Sequence, residues 1–306
     1  MRISVIGCGA VGGIFAAHLA RLPDVEVWAF DVNAEHIRAI RENGLRISGA
    51  ADFTAKLMAT SDPNEIPRCD FGIVATKSVH TRTAIAAVAH AYDDRSAVCS
   101  VQNGVGNEEI IAEYIHHVIR GTTFPAGHIA APGHVVYDIA GKTWIGPFEP
   151  SGTPMIKAAA LADMMNHAGL PAMALEDARG AQWSKLIFNA ATNPVGAVTG
   201  LHHGAATRFA LTGALFDALV EEGLAVANAL GITLHDDPKQ MIRYAANAPG
   251  KHKASMLQDV EARRPTEVDF MNGAIVRMGE QAGVPTPLNR ALWALVKGVE
   301  HSWTNP

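Results

Sequence analysis

The sequence is poor in three features that would each mark a class of protein. Its three cysteines, Cys8, Cys69 and Cys99, are far apart and form no CxxC pair, which argues against a disulfide framework or a cysteine zinc site and favours reduced thiols in a cytoplasmic protein. Charged residues make up 18% of the chain, with a formal net charge of −5 and no basic stripe, so nucleic-acid binding is not predicted. Beyond the N-terminus, no apolar run approaches the roughly 20 residues that a membrane span needs.

What the sequence does contain is enough apolar material for a large core. Hydrophobic residues are 48% of its 306 residues, and this length favours two domains. The first twenty residues combine an early arginine with an apolar run, as a signal peptide does. Glycines at positions 7, 9, 12 and 13 would weaken such a helix, so we expect no signal peptide here.

The N-terminal segment carries a glycine motif between a strand and a helix. "RISVIG" is typical of a buried strand, Gly7, Gly9 and Gly12 form G-x-G-x-x-G, and an alanine-rich helix runs to about Arg21. In a dinucleotide site these glycines allow a tight turn, a close approach of backbone to the pyrophosphate, and helix–strand packing. The alternative is a packing turn in a domain that binds nothing. The predicted cofactor-binding residues of this turn are Gly7, Cys8, Gly9, Ala10, Val11 and Gly12.

Asp31 follows the second predicted strand, "VEVWAF", and bears on the choice of cofactor. A carboxylate there accepts hydrogen bonds from the adenosine ribose and repels a 2′-phosphate, which favours NAD(H) over NADP(H). Arg38 and Arg41 lie in the next predicted helix, and their positive charges are the ones that could offset the repulsion between Asp31 and a 2′-phosphate. The alternative is that Asp31 serves as a helix N-cap or a turn aspartate.

Two further predicted strands, 71–76 and 97–102, end in "TKS" and "QNG". Ligands bind at the carboxyl ends of parallel strands, so Lys77 and Asn103 are candidate contacts for cofactor or substrate. The alternatives are a solvated lysine and a turn asparagine. Within residues 120–147, short predicted strands alternate with Gly/Pro turns, which predicts an antiparallel extension of the sheet. A helix at about 154–168 and a strand at 171–175 complete the first half.

The second half is predicted to be helical from about Asp177. In "WSKLIFNAATNP", Lys185, Asn189 and Asn193 are four residues apart and therefore share one helix face beside apolar residues. Polar groups at the edge of a core need partners or a ligand. Pro194 lacks a backbone donor and should free a carbonyl near Ala190.

Later helices are predicted at about 205–230, 238–248, 251–262, 266–282 and 287–301. Thr266 with Asp269 resembles a capping box, which would make Glu267 the first helical residue and favour its charged form through the helix dipole. The adjacent histidines at 116–117 and 202–203 would point to different sides of a helix and lack ligand spacing, so no metal site is predicted.

The combination GCGAVGG, TKS, QNG, WxKLxxNxxxNP and SMLQDxxxxRxTExD resembles the ketopantoate reductase (2-dehydropantoate 2-reductase) family, in order and spacing, from residue 3 to about 300. The resemblance implies an α/β Rossmann-type N-terminal domain plus an all-α C-terminal domain with 6-phosphogluconate-dehydrogenase-like helices. Residues 1–175 would bind the dinucleotide, and residues 176–306 would bind substrate and carry catalysis.

The resemblance also implies an activity, the NAD(P)H-dependent reduction of ketopantoate to D-pantoate for pantothenate synthesis. Lys185 would be the general acid and Glu267 its acidic partner, with substrate bound by Asn103, Asn189, Asn193 and Ser255. NADP(H) is the family expectation, and many members carry a basic residue where this chain has Asp31. Two alternatives stay open, an NAD-dependent dehydrogenase of another 2-hydroxy acid and a non-catalytic nucleotide-binding protein. Apolar faces of the helical domain would support a homodimer.

Overall fold

The computed structural model describes residues 1–247 and 253–304, and the chain divides into two units. The first unit contains Met1–Gln102 and Asn107–Ala178, and the second contains Asn103–Gly106 and Arg179–Pro306. By its contacts, the short segment Asn103–Gly106 therefore groups with the helical second unit, although it directly follows a strand of the first. The sequence alone did not indicate this exchange.

The first unit alternates strands with helices. Its elements are β1 (Arg2–Ile6), α1 (Ala10–Leu19), β2 (Glu26–Phe30), α2 (Ala34–Asn43), β3 (Leu45–Gly49), β4 (Phe53–Ala55), β5 (Met58–Thr60), β6 (Phe71–Val74), α3 (Thr81–Val88), β7 (Ala97–Ser100), α4 (Asn107–Ala112), β8 (Val118–Thr123), β9 (Ala126–Ala131), β10 (His134–Ile139), β11 (Thr143–Pro147), α5 (Met155–His167) and β12 (Ala172–Ala174).

The main sheet has eight strands in the order β12-β11-β8-β7-β6-β1-β2-β5. The strands from β8 to β5 are parallel, while β11 runs antiparallel to β8 and carries β12 parallel to itself. The chain reverses its direction of winding at β1, so the topological switch point lies between β1 and β6. The predicted Rossmann-type sheet is confirmed.

A second sheet, in the order β4-β3-β10-β9, corrects the prediction for residues 120–147. Of the strands in that range, β8 and β11 extend the main sheet. Strands β9 and β10 instead form the second sheet, in which β10 pairs with β9 and β3, and β3 pairs with β4; the sequence did not predict this sheet. The physical reason is the character of α1, which is apolar on nearly every side and buried from Gly12 to Leu19. A Cβ placed on Gly13 would lie 3.0 Å from Val135 of β10, so the second sheet covers the outer face of α1.

The described elements of the second unit are helical. They are α6 (Arg179–Thr199), α7 (His203–Arg208), α8 (Ala210–Ala229), α9 (Pro238–Asn247), α10 (Ser255–Glu261), α11 (Asn272–Ala282) and α12 (Pro287–Ser302), with a short 3-10 turn at Val268–Phe270. Its core includes Trp183, Leu186, Val220, Ile275 and Val296, all nearly inaccessible to solvent. The predicted all-α second half is confirmed for the residues described.

Several predicted helix boundaries were wrong. The single helix expected at 205–230 is two helices, because Phe209 takes an extended conformation between α7 and α8. The start of the helix predicted at 251–262 and the end of the one at 238–248 fall partly outside the described residues. Among the described helices, none combines the length and apolar character that a bilayer crossing requires.

The predicted capping box at Thr266 was also wrong. Helix α11 begins at Asn272, and Glu267 precedes the 3-10 turn with φ −95° and ψ 19°. Thr266 instead donates both its backbone N–H and its hydroxyl to Glu300 of α12, each at 2.7 Å. The Thr266 hydroxyl also accepts from the Val268 N–H at 3.3 Å, so a local contact remains beside the tertiary one, but it starts a 3-10 turn and not a helix at Glu267.

Candidate functional site

The three motif glycines of the β1–α1 turn have different surroundings. A Cβ on Gly7, which has φ +86°, would lie 2.6 Å from the Thr76 backbone nitrogen, and a Cβ on Gly12 would lie 2.0 Å from the Gly7 carbonyl oxygen. Packing thus requires glycine at both positions. A Cβ on Gly9 would have no heavy atom within 4 Å. Packing within the chain does not explain Gly9, whereas a ligand that closely approaches the backbone would.

The residues beside these glycines present backbone rather than side chains. The Cys8 side chain is fully buried, and burial raises the pKa of its thiol far above the usual range, so its side chain belongs to the core. Its backbone N–H donates to the Phe30 carbonyl at 3.2 Å. Ala10 and Val11 open α1 and are partly exposed, and the N–H groups of a first helical turn lack partners within the helix.

Asp31 lies directly after β2, in the turn that leads to α2. Its Oδ1 accepts a hydrogen bond from the Asn33 N–H at 2.9 Å, while Asn33 itself caps α2 by accepting from His36. Asp31 is therefore a turn aspartate and not the N-cap. Among the described residues no group hydrogen-bonds its Oδ2, so one oxygen of the carboxylate is left for a ligand. Arg38 and Arg41 are both exposed on α2.

Lys77 follows β6 and is the N-cap residue of a 3-10 turn, Ser78–His80, with its side chain partly exposed. Gln102, which follows β7, holds this turn in place with hydrogen bonds on both sides of it. Its amide donates to the Thr76 carbonyl at 3.0 Å and to the Thr81 hydroxyl at 2.7 Å. The sequence motif "QNG" predicted no role for Gln102, because its partners, Thr76 and Thr81, lie on another loop.

In the second unit, Lys185, Asn103 and Glu267 meet. The Lys185 Nζ donates to the Asn103 Oδ1 at 2.8 Å, and the Asn103 Nδ2 donates to the Glu267 Oε2 at 3.3 Å. The Val105 N–H also donates to the Phe270 carbonyl at 3.0 Å. A Cβ on Gly104 would lie 2.3 Å from the same carbonyl oxygen, so this close approach requires glycine. The "QNGVG" loop is thus fixed against the segment that carries Glu267.

Burial and a neighbouring charge act in opposite directions on the pKa of the Lys185 ammonium. Burial lowers the pKa of Lys185 to about 8, and the negative charge of Glu267 acts in the opposite direction. Glu267 is only 4% exposed, so its charge is poorly screened by water. At neutral pH the lysine is still protonated, but it gives up its proton far more readily than an exposed lysine does.

Asn189 and Asn193, which were predicted to share a helix face with Lys185, lie with it on α6. Asn189 and Asn193 are buried, and the Asn193 Nδ2 lies 3.8 Å from the Met271 sulfur. Within the described part of the chain, nothing hydrogen-bonds the Asn189 amide. The carbonyl expected to be freed by Pro194 is that of Ala190, and it accepts from the Asn272 Nδ2 at 2.9 Å, which confirms that prediction.

Ser255 is the first residue of α10 and is half-buried. Helix α10 packs against α6, and a Cβ on Gly196 would lie 3.7 Å from that of Ala254. The Ser255 hydroxyl forms no hydrogen bond with any residue that the structure describes. The structure thus places Ser255 on a neighbouring helix, without a hydrogen bond to the trio.

The sequence reading missed a set of residues on α12. Trp293, Lys297 and Glu300 bond to Asp269 and Thr266, the residues that flank the Glu267 segment. The signal that could have found them is their spacing of four and three residues, which places three polar side chains on one helix face.

The histidine pairs are not arranged as expected. His116 and His117 lie in a bend before β8, not on a helix, and their rings stack with centroids 4.4 Å apart. His203, at the start of α7, stacks on Phe188 at 5.9 Å. Within the described residues, no three histidine, cysteine or acidic side chains are grouped as metal ligands would be.

Comparisons with known proteins agree over nearly the whole chain. The family model described as ketopantoate reductase PanE/ApbA matches residues 3–150, and the model of its C-terminal part matches residues 177–300. A 2-dehydropantoate 2-reductase of Archaeoglobus fulgidus is 35% identical over 299 residues, which cover 98% of each chain. Two solved structures are also similar. A PanE/ApbA family ketopantoate reductase from Ralstonia eutropha JMP134 is 34% identical with a TM-score of 0.90, and all of both chains are covered. D-mandelate dehydrogenase, solved with NADH and anilino(oxo)acetate, is 27% identical with a TM-score of 0.89, covering 99% of this chain and 100% of the other.

Proposed function

Because the chain belongs to the ketopantoate reductase family, we propose that it reduces 2-dehydropantoate (ketopantoate) to D-pantoate with a nicotinamide nucleotide, as a step of pantothenate synthesis. The observation that carries this proposal is the trio, in which the partly buried ammonium of Lys185 contacts an amide that also contacts a carboxylate. Residues 1–175 would hold the nucleotide, and residues 176–306 would bind the 2-oxo acid and supply the catalytic groups.

The reaction adds a hydride to the carbonyl carbon and a proton to the carbonyl oxygen. The nicotinamide, when bound, supplies the hydride. Negative charge then develops on the carbonyl oxygen, and the Lys185 Nζ donates its proton to that oxygen to give the product hydroxyl. The neutral amine regains a proton from water. General acid catalysis of this kind contributes roughly 10²–10⁴-fold to the rate, and a donor with a pKa near 8 is well matched to neutral pH.

Glu267 and Asn103 keep the Lys185 amine protonated and oriented. The carboxylate of Glu267 raises the pKa of Lys185 against the effect of burial, so that the amine remains protonated at neutral pH. Asn103 accepts from the ammonium and donates to the carboxylate, which fixes the direction of the Nζ–H bonds. With substrate bound, the same amide is suited to contact the reacting oxygen.

The remaining polar groups of the second unit are assigned to the substrate. Asn189 is 6% exposed and no described residue hydrogen-bonds its amide, which leaves the amide available to a ligand. Amides both donate and accept, so Asn189 and Asn193 suit a substrate that carries a carboxylate, a carbonyl and a hydroxyl. Ser255 is assigned as a donor to the carboxylate.

The nucleotide is assigned to the first unit. Its turn fits a pyrophosphate, because Gly9 leaves open space beside the backbone N–H groups that begin α1. Gly7, Cys8, Gly12, Ala10 and Val11 complete the turn, with Lys77 and Asn103 as further contacts. The Asp31 carboxylate has one oxygen without a hydrogen bond to any described residue, which suits a ribose diol. We therefore propose NAD(H) as the preferred form.

A second candidate function is the NAD-dependent oxidation of another D-2-hydroxy acid. Two observations favour it, namely the acidic residue at position 31 and the similarity to D-mandelate dehydrogenase, whose structure contains NADH. The same trio would serve this reaction in reverse, with neutral Lys185 accepting the hydroxyl proton. Fold and trio do not distinguish these substrates.

One set of assays separates the possibilities. Nicotinamide fluorescence is followed in purified protein with NADH and with NADPH, against ketopantoate and a panel of other 2-oxo and 2-hydroxy acids. Ketopantoate as the substrate with the highest kcat/KM supports the proposed function, and higher values for another acid support the second candidate. Binding of nucleotide without turnover of any substrate would contradict both and leave a non-catalytic nucleotide-binding protein.

The proposal extends to a cytoplasmic homodimer. Cys8, Cys69 and Cys99 are all buried as free thiols, which is typical of a reducing compartment. Phe209, between α7 and α8, and Leu211, in the first turn of α8, expose apolar side chains, as surfaces buried in dimers do. Light scattering across a dilution series measures the assembly state, and a monomer at all concentrations would contradict this extension.

A further inference from the structure

Helix α12 carries a polar stripe for which the mechanism above gives no role. Trp293, Lys297 and Glu300 are spaced by four and three residues and therefore share one face of the helix. We call these three residues the α12 stripe. All of them contact the segment 266–269, in which Glu267 lies.

The α12 stripe holds this segment at both ends. At one end, the Glu300 Oε1 accepts from the backbone N–H and the hydroxyl of Thr266, each at 2.7 Å. At the other end, Asp269 accepts from the Trp293 Nε1 at 2.7 Å and from the Lys297 Nζ at 3.1 Å. The Lys297 Nζ also lies 2.6 Å from the Glu300 Oε2, which closes the set of contacts.

The segment has little local structure of its own to fix Glu267. Glu267 lies directly before a three-residue 3-10 turn, Val268–Phe270. The local hydrogen bonds are Phe270 N–H to the Glu267 carbonyl at 3.0 Å, Met271 N–H to the Val268 carbonyl at 3.3 Å, and Val268 N–H to the Thr266 hydroxyl at 3.3 Å. Short 3-10 turns are weakly stabilised by their own hydrogen bonds. The place of the Glu267 carboxylate therefore depends on contacts with other elements.

We propose that the α12 stripe positions Glu267 beside Asn103 and Lys185, so that these α12 residues act on the reaction through Glu267. The proposal rests on the proposed function for its kinetic consequence but not for its geometry. Another charged group at the segment is Arg277 of α11, which donates to the Asp269 carbonyl at 2.9 Å and lies over the Trp293 ring at 5.8 Å. Arg277 thus supports the same end of the segment.

A consequence of this arrangement can be measured. If Glu267 moves away, the charge that raises the pKa of Lys185 weakens while the burial that lowers it remains. The pKa of Lys185 then falls, and the fraction of protonated amine at a given pH falls with it. A change that only loosened the fold would admit water and weaken the effect of burial, so it would move the pKa of Lys185 upward, in the opposite direction.

The test compares three variants. Glu300→Ala removes both acceptor contacts to Thr266, Glu300→Gln keeps an acceptor oxygen, and Arg290→Ala is the matched control, since Arg290 lies on the same helix and pairs with Glu280 at the surface. We expect Glu300→Ala to lower kcat by about 10- to 100-fold, the scale of a small misplacement of a reacting group. Its kcat should also decline with rising pH at a lower pH than in the wild type. Glu300→Gln should recover most of the loss, and Arg290→Ala should match the wild type.

The titration of Lys185 provides a readout that does not need turnover. The 13C resonance of the Lys185 Cε, assigned with Lys185→Arg in lysine-labelled protein, reports the pKa directly. A lower pKa in folded Glu300→Ala than in Arg290→Ala supports the proposal even if ketopantoate proves not to be the substrate. An unchanged pKa in folded Glu300→Ala overturns it, whatever happens to kcat. If Glu300→Ala fails to fold, Trp293→Phe keeps the ring and removes only the N–H to Asp269, and the same two outcomes apply to it.

Discussion

The β1–α1 turn and the Lys185 trio are built in different ways. The turn is made of six consecutive residues, and what matters in it is backbone conformation and the absence of side chains. The trio joins side chains that lie 82 and 164 positions apart along the chain, and what matters is their environment. A local backbone site tolerates change only where space is open, whereas a site of distant side chains depends on everything that positions them. Substitutions in each region can test this difference.

The largest expected effect is at the trio. Lys185→Ala should lower kcat for 2-oxo acid reduction by at least about 10²-fold, because it removes the proton donor. Nucleotide affinity should stay near the wild-type value, since Lys185 is not among the residues assigned to the nucleotide. Steady-state kinetics and a fluorescence titration with NADH measure the two quantities. A loss of kcat below threefold would remove Lys185 from the role of general acid.

The glycine turn should show two opposite behaviours. Gly12→Ala places a Cβ 2.0 Å from the Gly7 carbonyl oxygen, and overpacking of this kind destabilises by about 1–3 kcal/mol or more. Gly9→Ala meets nothing within 4 Å, so the free energy of unfolding should change little while the affinity for NADH falls. Urea unfolding and nucleotide titration of both variants provide the comparison. Unchanged NADH affinity in Gly9→Ala would mean that the turn serves only the packing of the helix on the sheet and does not contact the nucleotide.

These two regions also explain what could be predicted from the sequence. The turn could be predicted because its glycine motif lies between a strand pattern and a helix pattern in one short segment. The shared face of Lys185, Asn189 and Asn193 on α6 could be predicted because residues four apart lie on one side of a helix. The second sheet could not, since it depends on the pairing of β3 with β10, which lies far along the chain, and the local pattern of neither strand shows that pairing. The same limit explains the capping-box error, because Glu300, 34 positions away, takes the Thr266 hydroxyl.

At the site itself, residue types were predictable and their relations were not. Lys185 and Glu267 were singled out by motif, but the amide of Asn103 that joins them is visible only once the loop Asn103–Gly106 is seen to group with the helical unit. Asn272 was missed for a similar reason. Its partner is a backbone carbonyl that Pro194 leaves free, which no pattern in the residues around 272 reveals.

The pH dependence of the trio should be opposite in the two reaction directions. Reduction needs protonated Lys185, so its kcat should fall as pH rises through about 8, approaching tenfold per pH unit above that value. Oxidation of the hydroxy acid needs the neutral amine, so its kcat should rise through the same pH. Rate profiles measured in both directions on one preparation check this. Two profiles that bend the same way near pH 8 would assign the titration to some other group.

The smallest expected effect returns to the first unit, where a side chain rather than backbone is assigned a role. Asp31→Arg should shift the ratio of kcat/KM for NADH to that for NADPH toward NADPH by at least about 10-fold, since hydrogen bonds to a charged group contribute roughly 1.5–3 kcal/mol. Glu35→Arg is the matched control, because it makes the same change of charge at an exposed position on α2. An equal shift in both variants would reduce the effect to overall charge. A wild-type protein that prefers NADPH would show that the Asp31 carboxylate does not select the nucleotide. The glycine turn would then bind the pyrophosphate without distinguishing the ribose of NADH from that of NADPH.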